Sequence, residues 1–345
     1  MRICIPIVNL SWHGGTRVLV ELANFLAQEG HEVFIVSSRV VTPFLISERV
    51  VVRRIGFVTP WKALNYIAFL LLLPFRLPRR SIFMATFFVT YYSVRLAAAI
   101  RRRPYLYFVQ DIESKYMGLR GTVLNALCNL TYRDQHILAA NSYLRETLRQ
   151  RFHCNSRSID IGPSEIFYYR PVRVPKRFNV IYFLREEQWK GLDRFQRLLA
   201  ISGGRLTFLC VSQNEKLFNA VVDPAVTCCK PQGDDELIDC IDSSEVLLST
   251  SYREGFSLPP LEAMARGVPP VLFRCGGPDV YVQAGVNAIY VENETQVVEE
   301  TAALLRNPEQ YALMRRAAVS TAERFRLKRG LLQATELITE YSRGH

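Results

Sequence analysis

The sequence predicts an α/β chain of two doubly wound domains, each a buried parallel sheet with helices on both faces. Three observations predict it. At 345 residues the chain is longer than one hydrophobic core usually supports. Apolar runs of strand length alternate with helix-like amphipathic stretches along the whole chain. The rhythm breaks once, at residues 166–178, where two prolines and four basic residues stand together, and it starts afresh beyond them.

In the first half, residues 3–8 read as a strand and residues 9–15 as a glycine-bearing loop. The following helix carries Val18, Leu19, Leu22, Phe25 and Leu26 on one face, and Gly30 stops it ahead of a second strand at 32–37. That order is a right-handed βαβ start. Residues 82–89 and 105–109 read as further buried strands. In the second half, strands are expected at 180–184, 206–211, 226–229, 246–250 and 270–273, separated by helical patterns. The resulting division is a Rossmann-like domain over 1–165, a linker over 166–178, a second Rossmann-like domain over 179–326, and a closing helical segment over 327–345. Two such domains facing one another would place the carboxyl ends of both sheets on a shared cleft.

Composition narrows the class. With 49% hydrophobic and 22% charged residues the chain is neither disordered nor fibrous. Eight cysteines show no CxxC pair and no His-interleaved spacing, so they read as reduced, mostly buried thiols, and no metal site is expected from them. The opening Met1-Arg2-Ile3-Cys4-Ile5-Pro6 has no signal-peptide pattern, which makes the cytoplasm the expected compartment. The net charge of +11 suits a nucleic acid, an anionic membrane surface or a polyphosphate ligand, and its distribution helps to sort these. Arg76, Arg79, Arg80, Arg95, Arg101, Arg102 and Arg103 crowd beside an apolar run at 63–75, too short to span a bilayer, which needs about 20 residues. This run reads either as a helix lying on the inner face of a membrane or as a buried domain helix with solvated arginines.

Two stretches carry chemistry. Arg253-Glu254-Gly255-Phe256-Ser257-Leu258-Pro259-Pro260-Leu261-Glu262 follows a buried strand and opens a helix. The N–H groups of Phe256, Ser257 and Leu258 would lie at the positive end of that helix, where an anion is favoured. Glu254 and Glu262 could each accept paired hydrogen bonds from the vicinal hydroxyls of a ribose or a hexose. At another strand end, Arg185 and Lys190 could neutralise a diphosphate and stabilise its departure. The bland alternatives are a capped helix with solvated glutamates and ordinary loop charges.

The stretch from Glu254 to Glu262 resembles the E-x7-E motif of retaining GT-B glycosyltransferases of the family 4 type, which contains sucrose synthase-like enzymes and bacterial mannosyl- and rhamnosyltransferases. Arg185 and Lys190 match that family's Arg/Lys pair, Gly14-Gly15 its N-terminal glycine-rich loop, and Gly276-Gly277-Pro278 its later glycine segment. The resemblance implies a GT-B fold, an acceptor-binding N-terminal domain, a final helix that crosses back to it, and transfer with retention. It gives Glu262 the ribose hydroxyls, Glu254 the sugar hydroxyls, Arg185 and Lys190 the diphosphate, and the Phe256–Leu258 backbone a share of sugar and phosphate. Gly14 and Gly15 would let backbone approach the phosphates. The donor is then a nucleotide-sugar substrate, with no cofactor and no nucleic acid implied.

The family often has His near the end of an N-domain strand; here Gln110-Asp111 stands there, similar to some bacterial rhamnosyltransferases of surface polysaccharides. This favours dTDP-L-rhamnose over a UDP- or GDP-sugar. Asp111-Ile112-Glu113 also reads as a short metal-binding pattern, although the two cations make metal dispensable. Ser142 resembles the family's strand-end serine, while Asn141 or Ser142 would equally cap a helix. His13, beside the glycines, could reach acceptor or phosphate. Two further readings stay open: a sugar-nucleotide 2-epimerase on the same architecture, and a non-catalytic protein docking on membrane or nucleic acid through its basic N-terminal face.

Overall fold

The computed structural model describes residues 1–10, 14–41, 44–56, 61–116, 122–169, 171 and 174–343. The chain falls into two compact units, Met1–Ile161 with Arg329–His345, and Gly162–Lys328.

The first unit runs β1 (Arg2–Leu10), α1 (Gly14–Gln28), β2 (Glu32–Val40), β3 (Val50–Arg54), α2 (Lys62–Arg76), β4 (Ile82–Ala85), α3 (Phe88–Arg101), β5 (Tyr105–Val109), α4 (Thr122–Thr131), β6 (Ile137–Ala139), α5 (Ser142–Phe152) and β7 (Arg157–Ser158). Its seven strands are parallel in the order β3-β2-β1-β4-β5-β6-β7. The chain therefore winds outward from β1, returns, and winds the other way from β4, which puts the topological switch point between those two strands. Gly14 and Gly15, expected in a loop, form the first turn of α1 instead. The apolar run at 82–89 is a strand only to Ala85; its remainder begins α3, because Phe88 is buried there on a helix face.

The second unit runs α6 (Ile166–Tyr169), β8 (Phe178–Phe183), α7 (Leu192–Ser202), β9 (Phe208–Val211), β10 (Val226–Cys229), α8 (Asp234–Asp242), β11 (Ser244–Ser249), α9 (Leu258–Ala265), β12 (Pro270–Phe273), β13 (Ile289–Val291), α10 (Glu294–Leu305) and α11 (Pro308–Arg324). Its six parallel strands are ordered β10-β9-β8-β11-β12-β13, with the switch between β8 and β11. Alternation along β8 shows why both faces need helices. Val180 and Tyr182 join Phe195 and Leu198 of α7 in one core, while Ile181 joins Ile238 and Ile241 of α8 in the other. Each fully buried aliphatic side chain there stabilises the unit by about 1.5–3 kcal/mol.

The segment read as a linker is integral to this unit at its start. Phe167 of α6 is fully buried in the second core, and its carbonyl accepts from Arg266, whose guanidinium forms a buried two-pronged pair with Asp242 at 2.8 and 2.6 Å. An arginine fork that satisfies a carboxylate and a carbonyl in the interior fixes that turn against the sheet. The last helix, α12 (Leu327–Arg343), belongs from Arg329 onward to the first unit. There Glu340 pairs with Arg157 at 2.8 Å, and the Tyr341 ring meets His136 edge-on. Among the described residues the cysteines are free, and six are buried, as the sequence suggests for most of them; Cys229 is half-buried and Cys228, on the edge strand β10, is exposed.

Candidate functional site

At the second switch point, the loop after β8 and the loop after β11 are tied together by backbone. Tyr252 N–H donates to the Trp189 carbonyl at 2.8 Å, and the Thr250 hydroxyl lies 3.0 and 2.8 Å from the carbonyls of Lys190 and Gly191. Gly191 has φ +73°, and a Cβ there would come within 2.1 Å of the Thr250 carbonyl oxygen. Only glycine lets the loop turn that close to the strand end.

That turn aims Lys190 at Glu254. Its Nζ donates to both carboxylate oxygens, at 2.8 and 2.9 Å, and the Ser251 hydroxyl adds a third hydrogen bond at 2.7 Å. The Glu254 side chain is 9% exposed and that of Lys190 29%. Backbone fixes Glu254 as well, since its N–H donates to the Cys275 carbonyl at 2.9 Å and its carbonyl accepts from Gly277 at 3.0 Å. A Cβ on Gly277 would sit 2.5 Å from the Phe256 nitrogen, so the glycine segment and the loop before α9 are in direct contact.

Ser257 enters α9 in the left-handed region, at φ 67°, a strained setting for a residue with a side chain. Its carbonyl accepts from the Tyr281 hydroxyl at 2.7 Å, and the Phe256 ring packs edge-on against Tyr281. Pro259 and Pro260 carry no N–H, so the donors at this helix start belong to Phe256, Ser257 and Leu258. None of the three donates to a described residue. Glu262, one turn further on, is almost buried, 9% exposed. Arg185 leaves the end of β8 half-buried, with no hydrogen bond or ion pair to any described residue. A half-buried guanidinium without a carboxylate beside it can receive an anion.

In the first unit, the structure brings Gly15 and Gln110 together: a Cβ on Gly15 would meet the Gln110 Oε1 at 3.0 Å. Gly14 faces open space. Asp111 folds back on its own backbone, accepting from Ile112 N–H at 2.7 Å. Glu113, the other carboxylate of the metal-like pattern, turns inward and accepts from Phe88 N–H and the Tyr107 hydroxyl, both at 3.1 Å. Burial pushes its carboxyl up to about 8 against the pull of those hydrogen bonds, so at neutral pH it is largely protonated. Ile112 between Asp111 and Glu113 is buried, and the hydrogen bonds of the two carboxylates run to different backbone and side-chain groups. Asn141 caps α5 by accepting from Leu144 N–H at 2.8 Å, which leaves Ser142 as the first residue of that helix. His13 lies outside the described residues.

Sequence reasoning passed over Ser251, Tyr281 and Arg194. The Arg194 guanidinium is stacked between the Tyr252 ring, 3.8 Å from its centroid, and the Phe273 ring, 4.3 Å from its centroid, and donates to the Thr250 carbonyl. It braces the loop that carries Glu254. Ser251 had a weak signal, a hydroxyl three residues before a loop glutamate; the other two had none, since their partners are remote in sequence.

Comparison with known proteins agrees with the two-unit fold. Residues 12–164 match the Glycosyltransferase Family 4 domain and residues 219–321 the domain of Glycosyl transferases group 1. A D-inositol 3-phosphate glycosyltransferase from Rhodococcus opacus is 32% identical over 126 residues, 35% of this chain and 28% of the relative. The match thus spans less than a third of that relative's length. Among solved structures, sucrose-phosphate synthase from Thermosynechococcus elongatus superposes over 100% of both chains with a TM-score of 0.81 at 14% identity. HepE from Anabaena, solved in complex with UDP, superposes over 99% of this chain and 100% of its own with a TM-score of 0.76 at 18% identity. At those identities the likeness is one of fold. The chain thus has a GT-B fold, with a match to the Glycosyltransferase Family 4 domain in its first half and to the Glycosyl transferases group 1 domain in its second.

Proposed function

We propose that the chain transfers a sugar, with retention of configuration, from a nucleoside-diphosphate donor to a glycan or lipid-linked glycan acceptor in the synthesis of a cell-surface polysaccharide. The observation that carries this reading is the Lys190–Glu254 pair, held by Ser251 and by backbone at the switch point of the second sheet, next to a helix start whose N–H groups have no described partner. HepE, of similar fold, was solved with UDP-glucose, which supports a nucleotide-sugar donor.

In this reading the diphosphate lies on Arg185 and Lys190, which stabilise the charge that grows on the leaving oxygen, and the Phe256–Leu258 N–H groups support sugar and phosphate. Glu262 holds the ribose hydroxyls. Glu254 has a double role: it takes the sugar hydroxyls and keeps the Lys190 ammonium in place. The leaving phosphate oxygen receives the acceptor proton, so no second catalytic carboxylate and no metal is required. Gln110, beside Gly15, gives a neutral hydrogen bond to the sugar and favours dTDP-L-rhamnose.

Incubation with dTDP-, UDP- and GDP-sugars, with and without membrane-extracted acceptors, tests the proposal through nucleotide release and the anomeric configuration of the product by NMR. Release with dTDP-rhamnose, unchanged by chelator, is the expected result. Silence with every donor and acceptor refutes the reading, and an epimerised donor without nucleotide release would mark a 2-epimerase instead.

A further inference from the structure

Between Glu48 and Asp111 the chain contains no Asp or Glu, while arginines recur throughout. The structure gives this one-signed stretch a definite surface. On α2, Leu64, Ile67, Leu71 and Phe75 recur at helical spacing and are all exposed, Leu71 and Phe75 at 67% each, while Phe69 and Leu73 on the opposite side are fully buried. The helix is thus apolar on both faces, and only one is used by the fold. It packs along α3, which also adjoins α4. The outer positions of α3 add Leu96 and Ile100, and α4, which has no charged residue, adds Val123, Leu124, Leu127 and Leu130.

Cations stand at one rim of this layer. Arg101, at the end of α3, donates to the carbonyls of Phe75 and Leu77 at the end of α2, and so joins the two helix ends. The exposed Arg76, Arg79 and Arg80 are thereby brought beside the exposed Arg102 and Arg103. Single exposed apolar side chains are ordinary on a protein surface. Three neighbouring helices that share them, bounded by arginines and free of carboxylates on the first two, are not.

We propose that the outer face of α2, α3 and α4 docks on an anionic phospholipid bilayer, with the apolar side chains in the acyl–headgroup boundary and the arginines on lipid phosphates. The 15 residues of α2 are too few to cross a bilayer but suit a helix lying in its plane. Arginine forks match phosphate oxygens, and each basic residue near an anionic leaflet adds attraction. An acidic protein partner would satisfy the arginines but not the long uncharged stripe. In a parallel sheet the arginine rim, which leads into β4 and β5, lies at the end opposite to Gly15 and Gln110, so docking leaves that end open. This inference stands on the surface alone and does not depend on the catalytic reading.

Flotation of the full chain with vesicles of phosphatidylcholine, with and without phosphatidylglycerol, tests it. The protein should float with anionic vesicles, and added salt should weaken binding. L71E/F75E and, separately, R79E/R80E should each lower partitioning about tenfold or more. The melting rise produced by a nucleoside diphosphate, if present in the parent chain, should persist in the arginine variant, whose changes lie on the exposed surface. A chain that stays in the aqueous phase with anionic vesicles overturns the proposal, as does binding indifferent to lipid charge. A parent dimer that both variants convert to monomer, with no flotation, assigns the face to a second copy instead.

Discussion

The two switch points are built on the same topology but held by different forces. In the second unit the candidate site is fixed by backbone contact and by charge: Gly191 and Gly277 let loops touch, and Lys190 grips Glu254 through both oxygens. In the first unit the equivalent end of the sheet rests on side chains. Gly15 approaches only the tip of Gln110, and below it Glu113, Tyr107 and Tyr132 form a buried cluster around a carboxyl that is largely neutral. A rigid charged half suits a constant partner such as a diphosphate, and a softer, uncharged half suits a partner that varies.

The largest effect expected from breaking this contrast is at Lys190. Lys190→Ala should lower turnover by about a thousandfold, roughly 4 kcal/mol of transition-state stabilisation, because it removes a cation from the leaving group and leaves a nearly buried Glu254 unpaired. Nucleoside diphosphate affinity should fall much less. Steady-state kinetics beside calorimetric titration separates the two, and equal losses in both would make Lys190 a binding residue only.

A smaller and opposite effect is expected in the first unit. Glu113 goes from an ordinary 4.5 in the unfolded chain to about 8 when folded, with burial as the main cause and Asp111 adding to it. The native state keeps a proton that the unfolded chain releases between those values. Stability from this group is therefore complete below about 4.5 and is lost as pH rises toward 8, with a slope approaching about 1.4 kcal/mol per pH unit. Glu113→Gln removes that slope. Urea unfolding at pH 5 and pH 8 should show a parent chain that loses about 3–4 kcal/mol over that range and a variant whose stability does not follow it. Parallel curves would mean that Glu113 is ionised in its cluster.

Much of this contrast was legible in the sequence for the second unit and little for the first. The run at 270–273 is a strand over those same residues, because a short buried parallel strand is apolar throughout and stops at turn residues, and the run at 226–229 is the edge strand over its own residues. The motif from Glu254 to Glu262 lies within one loop and helix, so its local order carries its geometry. In the first unit the partners are remote: Glu113 meets Phe88 and Tyr132, and Gly15 meets Gln110, through the sheet and not through the chain. Periodicity could not tell the end of β4 from the start of α3, since both are buried apolar runs. Nor could it show that α2 is half inside and half outside, because its two faces are equally apolar.

The finest probe of the contrast is a matched pair of glycines. A methyl group on Gly277 would meet backbone, the Phe256 nitrogen at 2.5 Å, whereas one on Gly15 would meet the Gln110 side-chain oxygen at 3.0 Å. Backbone cannot yield without moving the loop that carries Glu254, so Gly277→Ala should cost about 1–3 kcal/mol in stability and weaken donor binding with it. Gly15 stands in the first turn of α1, where alanine favours the helix by up to about 1 kcal/mol, and a glutamine tip can turn aside at small cost. Gly15→Ala should therefore leave the melting temperature within a degree or two of the parent, or raise it slightly. If Gln110 touches the transferred sugar, the same variant should raise KM for the donor a few-fold at nearly constant kcat, since the displaced amide loses a contact made equally in ground and transition states. Unchanged kinetics at unchanged stability would remove Gln110 from the sugar's surroundings, and a loss of stability as large as that of Gly277→Ala would erase the distinction between a rigid and a yielding half.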